Sequence, residues 1–352
     1  MKRSRLIQIG MGIAPLLLAL LFTTLILMVM GASPLRAYGL LVSGAFGRAA
    51  KVADVVAASV VLVLAGVGVS ITFTAGQWNV GIEGQIILGA IFATFVARNV
   101  PWPQVPLLTL MLLAGAAGGA VWAVLAALLK VFGQVHEIFG GLGLNYLAQG
   151  LAIWLIFNPW RPEDGATMSG TDPFPDPAWM PRLGQYRVAP LAVVLALVTM
   201  GVVYFLLRGT RWGLELKAMG KNPRSAFMLG VPSTQRLLTA FAACGALAGL
   251  AGAIRASARY GRMVPEISGG QGYLALLIAL LASYQPQWVP AIAFFFAAVG
   301  VGSPQLELKM QLDSSLGGVL QGSIVLAVLL VAGWRGVFSR RLLRKQRAGE
   351  EA

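Results

Sequence analysis

The chain has 352 residues, 57% of them hydrophobic and only 11% charged, with a mean hydropathy of +0.77. A soluble domain carries about 25% Asp, Glu, Lys and Arg, so lipid rather than water must solvate most of this surface. The net charge of +14 would suggest nucleic acid in a soluble chain, but here the cations flank apolar runs, where they set membrane topology. The bilayer is therefore the expected partner and nucleic acid is not. One cysteine (Cys244) excludes an intrachain disulfide, and one histidine leaves no set of ligands for a dedicated zinc site.

A membrane-crossing helix needs about 20 apolar residues, and ten candidate spans follow in chain order: 7–30, 52–74, 80–97, 106–129, 137–157, 188–207, 237–256, 272–284, 288–303 and 317–334. The reading is an all-α membrane protein of about ten transmembrane helices forming one transmembrane domain over 1–352. The first run is too long for the apolar core of a signal peptide and ends in Met30-Gly31-Ala32-Ser33, so it reads as a retained span. The eighth and ninth are short, and read as tilted, broken or re-entrant segments, a form tolerated where backbone is buried in protein. Lys2, Arg3, Arg5, Lys130, six cations within 208–236 and the basic tail 335–352 fall on one side, which predicts that both termini are cytoplasmic. Arg255, Arg259 and Arg262 fit this topology least well, because they fall outside. Segment 158–187, with six prolines, reads as an ordered but non-regular external loop.

Small residues recur at four-residue spacing, Gly115 with Gly119 and Gly245 with Gly249, the spacing that lets transmembrane backbones approach closely. Leu64-Ala-Gly66 precedes Glu83-Gly-Gln85 much as Leu247-Ala-Gly249 precedes Gly269-Gly-Gln-Gly272. That echo raises an inverted repeat, a transporter design with the path at the repeat interface.

Three stretches carry the chemistry. In the loop 208–236, Asn222 is a good N-cap, Pro223 suits the first helical position, and Gly230 suits a C-terminal position of positive φ. Between them lies a short helix bearing Ala226, Phe227, Met228 and Leu229. So apolar an exposed helix wants a surface, either a groove on a cytoplasmic protein or the lipid headgroups. The second stretch, Gly76 to Gln85, joins the second and third spans. Trp78, Asn79, Glu83 and Gln85 are polar or aromatic residues at membrane depth, where they default to a functional hypothesis. Asn79 and Glu83 share a face if the helix has already begun. The stretch reads as a lining of a solute path or a hinge, or as a hydrogen-bond network fixing a broken helix. Trp78 reads as an aromatic-belt residue, with stacking on a base-like solute as the sharper alternative. The third stretch holds His136, Glu137, Asn145 and Tyr146, with Asn145 deep and Tyr146 expected to bond a polar partner inside the bundle. Asp54 reads as an N-cap of the second span. The sequence holds no phosphate-binding Gly-x-x-x-x-Gly-Lys-Ser/Thr loop, no Gly-x-Ser-x-Gly elbow and no His-Glu-x-x-His. The reading is therefore non-catalytic and without a cofactor of its own.

Taken together, Asn79-Val-Gly-Ile-Glu-Gly-Gln85, Leu144-Asn-Tyr146, the 216–230 segment and Gly269-Gly-Gln-Gly-Tyr273 resemble the permease subunits of nucleoside ATP-binding cassette importers. These belong to the wider branched-chain amino acid and simple-sugar permease superfamily, and the order and spacing agree from about residue 8 to 334. The resemblance implies a bacterial plasma-membrane permease forming the path for a nucleoside-like solute. It implies an ATPase subunit that binds ATP and docks through Gly220, Asn222, Pro223, Ala226, Phe227 and Gly230. It implies a second permease chain in a heterodimer and an external substrate-binding lipoprotein. The path or its gate would involve Trp78, Asn79, Glu83, Gln85, Asn145 and Gln271. Two departures touch the cargo: Ala282-Ser-Tyr-Gln-Pro286 replaces a Gly-Arg or Gly-Lys turn, and His136-Glu-Ile-Phe-Gly-Gly-Leu-Gly143 replaces a more polar run. A sugar or other small solute is the alternative cargo, and an ion-coupled secondary transporter with Glu83 as its coupling carboxylate is the alternative machine.

Overall fold

The computed structural model describes residues 20–162, 165, 170–311, 316–323, 325–327 and 330. The start of the first predicted span, the acids Glu163, Asp164 and Asp313, the end of the last span and the basic tail lie outside them. The described residues are helical, with short 3-10 turns and no strand, as expected where lipid offers no partner for backbone N–H and C=O groups. They fall into two compact units, one within 1–51 and 298–352 and the other within 52–297.

The larger unit is built on α3 (Ala49–Thr74), α4 (Ile82–Asn99), α5 (Gln104–Val131), α6 (Glu137–Phe157), α7 (Pro190–Gly209), α8 (Arg211–Lys221), α9 (Pro223–Met228), α10 (Ser233–Ile254), α11 (Gln271–Leu281) and most of α12 (Val289–Gly302). Its centre is a three-helix contact of α4, α5 and α10 that glycines permit. A Cβ on Gly119 would overlap Gly245 O, one on Gly249 would overlap Gly115 O, and one on Gly89 would overlap Gly249 O. The four-residue glycine spacing in α5 and α10 thus marks the faces where the two backbones meet. Buried apolar side chains, Ala65, Val69, Phe73, Ile82, Ile86, Ala248 and Ala275 among them, form a core where α3, α4, α10 and α11 converge. The loop before α7 is non-regular apart from a 3-10 turn at Asp176–Ala178, and its backbone is tied to the end of α10. Thr171 N donates to Met263 O (2.9 Å), Phe174 N to Gly261 O (2.7 Å) and Met180 N to Ser257 O (3.3 Å).

In the smaller unit, α1 (Leu20–Val29) turns by 113° into α2 (Pro34–Phe46) through Gly31, at φ +72°. α13 (Pro304–Met310) and α14 (Leu316–Ala327) accompany them. Leu27, Ala37, Leu306 and Leu316 form its core, and Gly44 lies against Gly302, where neither has room for a side chain.

Among the described residues, six helices are long and apolar enough to cross a membrane, or seven if the bent α1–α2 pair is one span. The expected count was ten, and the first and last of those spans lie partly outside the described residues. The predicted third span exists as α4, but Glu83 and Gln85 at its start and Arg98 and Asn99 at its end lower its hydropathy, and almost all of it is buried in protein. The predicted eighth span is α11, whose 11 residues reach about 16 Å at 1.5 Å per residue, roughly half of a bilayer core. The predicted ninth continues through α12 and α13 into one 25-residue stretch, Pro286–Met310. Neither α2 nor α8 was predicted. Asp54 does not cap α3, because the helix begins five residues earlier at Ala49.

Candidate functional site

The junction between α3 and α4 is built first by its turn. Gly76, at φ +74°, ends α3 in a 6→1 motif in which Gln77 N donates to Thr72 O (2.9 Å) and Gly76 N to Phe73 O (2.9 Å). The chain then runs irregularly to Ile82. Asn79 therefore precedes the helix and does not share a face with Glu83. It pairs instead with Gln85 through two reciprocal amide bonds of 3.0 and 2.9 Å, and donates to Cys244 Sγ at 3.1 Å. Both amides are buried, so the pair satisfies polar groups that would otherwise be costly and ties the junction to α10. Trp78 stands apart, half exposed, edge-on to Phe73 with ring centres 5.1 Å apart.

Glu83 turns the other way. One carboxylate oxygen accepts from Gly270 N (2.8 Å) and the other from Gly272 N (2.6 Å). The carboxylate thus occupies the N-terminus of α11, where unpaired N–H groups and the helix dipole favour negative charge. Gly272 has to be glycine for this approach, since a Cβ there would lie 2.7 Å from Glu83 N and Cα. Asn145 closes the arrangement. Its Oδ1 accepts from Gly84 N (2.8 Å), and its Nδ2 donates to Val80 O (2.9 Å) and to Tyr273 Oη (3.2 Å). Gln271, the first residue of α11, leaves its Oε1 buried without a partner among the described residues.

Beside this junction lies an open cleft of about 300 Å3 lined by residues that include Glu83, Asn145, Tyr146, Gln149, Glu266, Ser268 and Tyr273. No cation lines it. Asn145 is fully engaged, and Gln149 gives its amide to Pro265 O at 2.6 Å. The hydroxyls, the Gln149 carbonyl and Glu266 remain as groups a solute could meet. Tyr146 is exposed on the cleft wall, not bonded inside the bundle. Composition missed Glu266, Gln149 and Ser268, because only the fold brings the 261–270 turn back to α6.

The 208–236 segment follows its local signals closely. Asn222 Oδ1 accepts from Ser225 N (3.1 Å), Pro223 opens α9, and Gly230 lies at φ +78°. Ala226 is buried among Met219, Leu144, Leu237 and Phe241, while Phe227, Met228 and Leu229 are 73%, 87% and 80% exposed. Gly220 sits directly on the α3–α4 turn, with Thr74 O and Gly76 N where its Cβ would be. Glu215 pins α8 by accepting from Arg236 and, at 2.9 Å, from Arg211. Burial alone would raise its pKa, but these two arginine hydrogen bonds outweigh burial and hold the carboxyl below its ordinary range. Lys130 bridges the same end of the bundle, to Glu137 at 2.9 Å and to Gln77. The exposed apolar face of α9 and the buried polar junction at Glu83 are thus linked by contacts that run from α9 to α8 to the α3–α4 turn.

A multi-pass helical bundle with such a junction and such a helix has the build of a membrane transport subunit. A profile of the branched-chain amino acid transport system permease component matches residues 51–330, and the chain belongs to that family of non-catalytic ABC transporter permease subunits. The glucose ABC transporter permease protein TsgB13 of Haloferax volcanii is 30% identical over 91% of this chain and 87% of its own. The guanosine ABC transporter permease protein NupP of Bacillus subtilis is 25% identical over 92% of this chain and 94% of its own. The nucleoside ABC transporter permease protein NupB of Lactococcus lactis is 22% identical over 81% and 80%. The resemblance read from the sequence motifs is borne out.

Proposed function

We propose that the chain forms the translocation path of an ATP-driven importer for a neutral, hydroxyl-rich solute, a nucleoside first and a sugar second, in a bacterial plasma membrane with both termini cytoplasmic. ATP is hydrolysed by a separate ATPase subunit that receives α9. A second permease chain completes the pore, with a heterodimer favoured, and an external lipoprotein delivers the cargo. The observation that carries the reading is the pairing of three exposed apolar residues on α9 with a backbone contact from Gly220 to the turn that leads to Glu83. Movement of α9 by an ATPase would reach the Glu83 junction through that contact. The cargo reading is supported by a cleft lined, among the described residues, with hydroxyl, amide and carboxylate groups and no cation, which suits neither a phosphate nor the carboxylate of an amino acid. The relatives named above include glucose, guanosine and nucleoside permeases.

The test is co-purification from native membrane. The wild-type chain should bring down an ATPase, a second permease and a lipoprotein. A Phe227→Ala, Met228→Ala double variant should insert normally and lose the ATPase. Retention of the ATPase by that variant would remove α9 from the docking surface, and recovery of the wild-type chain alone would defeat the importer reading for this chain.

A further inference from the structure

Among the described residues, Arg255 is the only lysine or arginine that is buried. It lies just past the C-terminal end of α10, enclosed by protein. A buried guanidinium needs hydrogen-bond acceptors and a nearby negative charge, and the hydrogen-bond acceptors of Arg255 lie on the stretch that leads to α11. Its Nε donates to Ile267 O. Its Nη2 donates to Tyr260 Oη at 3.2 Å, and its guanidinium carbon lies 5.4 Å from the centre of the Tyr260 ring. The same nitrogen fills the space beside Gly269, 2.8 Å from where a Cβ would stand. Its charge acts on the Glu83 carboxylate, and Arg259 is a like-charged neighbour.

The backbone explains how Arg255 comes to be there. Residues Arg255–Tyr260 form a turn of π-helix at the end of α10, a widened turn that is uncommon and concentrates at functional sites. Gly261, at φ +61°, ends it beneath the Trp179 ring. The chain then returns through 262–270, with Gly269 and Gly270 at φ +55° and +74°, and delivers Gly270 N and Gly272 N to Glu83. This return has no helix or strand of its own before Gln271.

We propose that Arg255 is a positioning residue that clamps the 261–270 turn and thereby holds the start of α11 on Glu83. The proposal deepens the reading of the Glu83 junction as the point that movement of α9 reaches: Arg255 acts on that junction through the turn. A planar fork can serve the Ile267 carbonyl and the Tyr260 hydroxyl together, whereas the single ammonium of lysine cannot keep both geometries. Releasing the clamp frees the turn that forms one wall of the cleft.

Thiol accessibility tests this without cargo or ATPase. The native Cys244 is fully buried, and Ser268, a buried residue on the cleft wall, is replaced by Ser268→Cys. Labelling by a membrane-impermeant maleimide should be slow in the Arg255 protein. It should be about ten- to hundredfold faster with Arg255→Gln, the range expected when a hydrogen bond from a charged group is lost, and intermediate with Arg255→Lys. The same Arg255 variants without Ser268→Cys report any labelling of Cys244. Adding Glu83→Gln to Arg255→Gln should give no further increase, because both free the same turn. In the assembled importer, Arg255→Lys should lower the maximal uptake rate and leave half-saturation unchanged. Unchanged labelling in Arg255→Gln and Arg255→Lys proteins that accumulate normally would overturn the clamp. If Arg255→Gln fails to accumulate, Arg255→Lys decides alone. Loss of the importer reading would show in co-purification and leave the labelling result standing.

Discussion

Glu83 shows how a residue's chemistry follows from what receives it. Two backbone N–H groups meet two carboxylate oxygens, an arrangement that only an acid satisfies at both points. Glu83→Gln places an NH2 group against one of the two donors. The unpaired donor should cost about 1–3 kcal/mol locally and loosen α11. Uptake by the assembled transporter should fall severalfold or more while membrane insertion stays normal. Full uptake by Glu83→Gln would reduce the residue to scaffold. Family membership sets aside the ion-coupled alternative for this carboxylate. Asn79 and Gln85 need no such role, because they satisfy each other.

Between α8 and α9 the controlling feature is attachment. Two helices of 11 and 6 residues are too short to be stable in isolation, so they depend on Ala226 and Met219 in the core and on Glu215 between Arg211 and Arg236. The Glu215 carboxyl is held below its ordinary range, so its contribution is complete above the unfolded carboxylate value of about 4.3. The contribution is lost as the pH falls through the lower folded value. Hydrogen exchange across 211–221, corrected for intrinsic rates, should speed up on acidification, and Glu215→Gln should show fast exchange at neutral pH with little further change. Exchange that is independent of pH in the wild-type protein would remove Glu215 as the anchor. Asn222→Ala should add to this by about 1 kcal/mol of lost helix capping.

For the larger unit as a whole, the close glycine contact of α4, α5 and α10 is expected to govern stability. Gly249→Val drives a branched side chain into Gly115 O and Gly119 Cα, both of them backbone. Overpacking of that kind costs at least about 1–3 kcal/mol. The variant should melt earlier in detergent or fail to accumulate. Gly201→Leu, in α7 with open space beside it, should behave as wild type. Equal melting of the two variants would mean that the close helix contact does not govern stability.

Much of this was legible in the sequence where the determinants are local. Long apolar runs specify helices, because lipid offers the backbone no other partner. Asn222, Pro223 and Gly230 specify α9, because capping and a left-handed residue are matters of a few neighbouring dihedrals. Four-residue glycine spacing marks the faces of α5 and α10. The tertiary structure alone decided which helix Glu83 caps, that Asn79 pairs with Gln85 instead, and that Arg255 turns inward through a π turn to hold a segment 12 residues further on. It also decided that α4, polar at both ends, sits inside protein and that α11, at 11 residues, is only about half as long as a bilayer core is thick. These outcomes depend on contacts between residues far apart in the chain, some separated by nearly 190 positions. No local propensity encodes such a pairing; burial makes each polar group find a partner, and the packing of the other helices determines which partner is within reach.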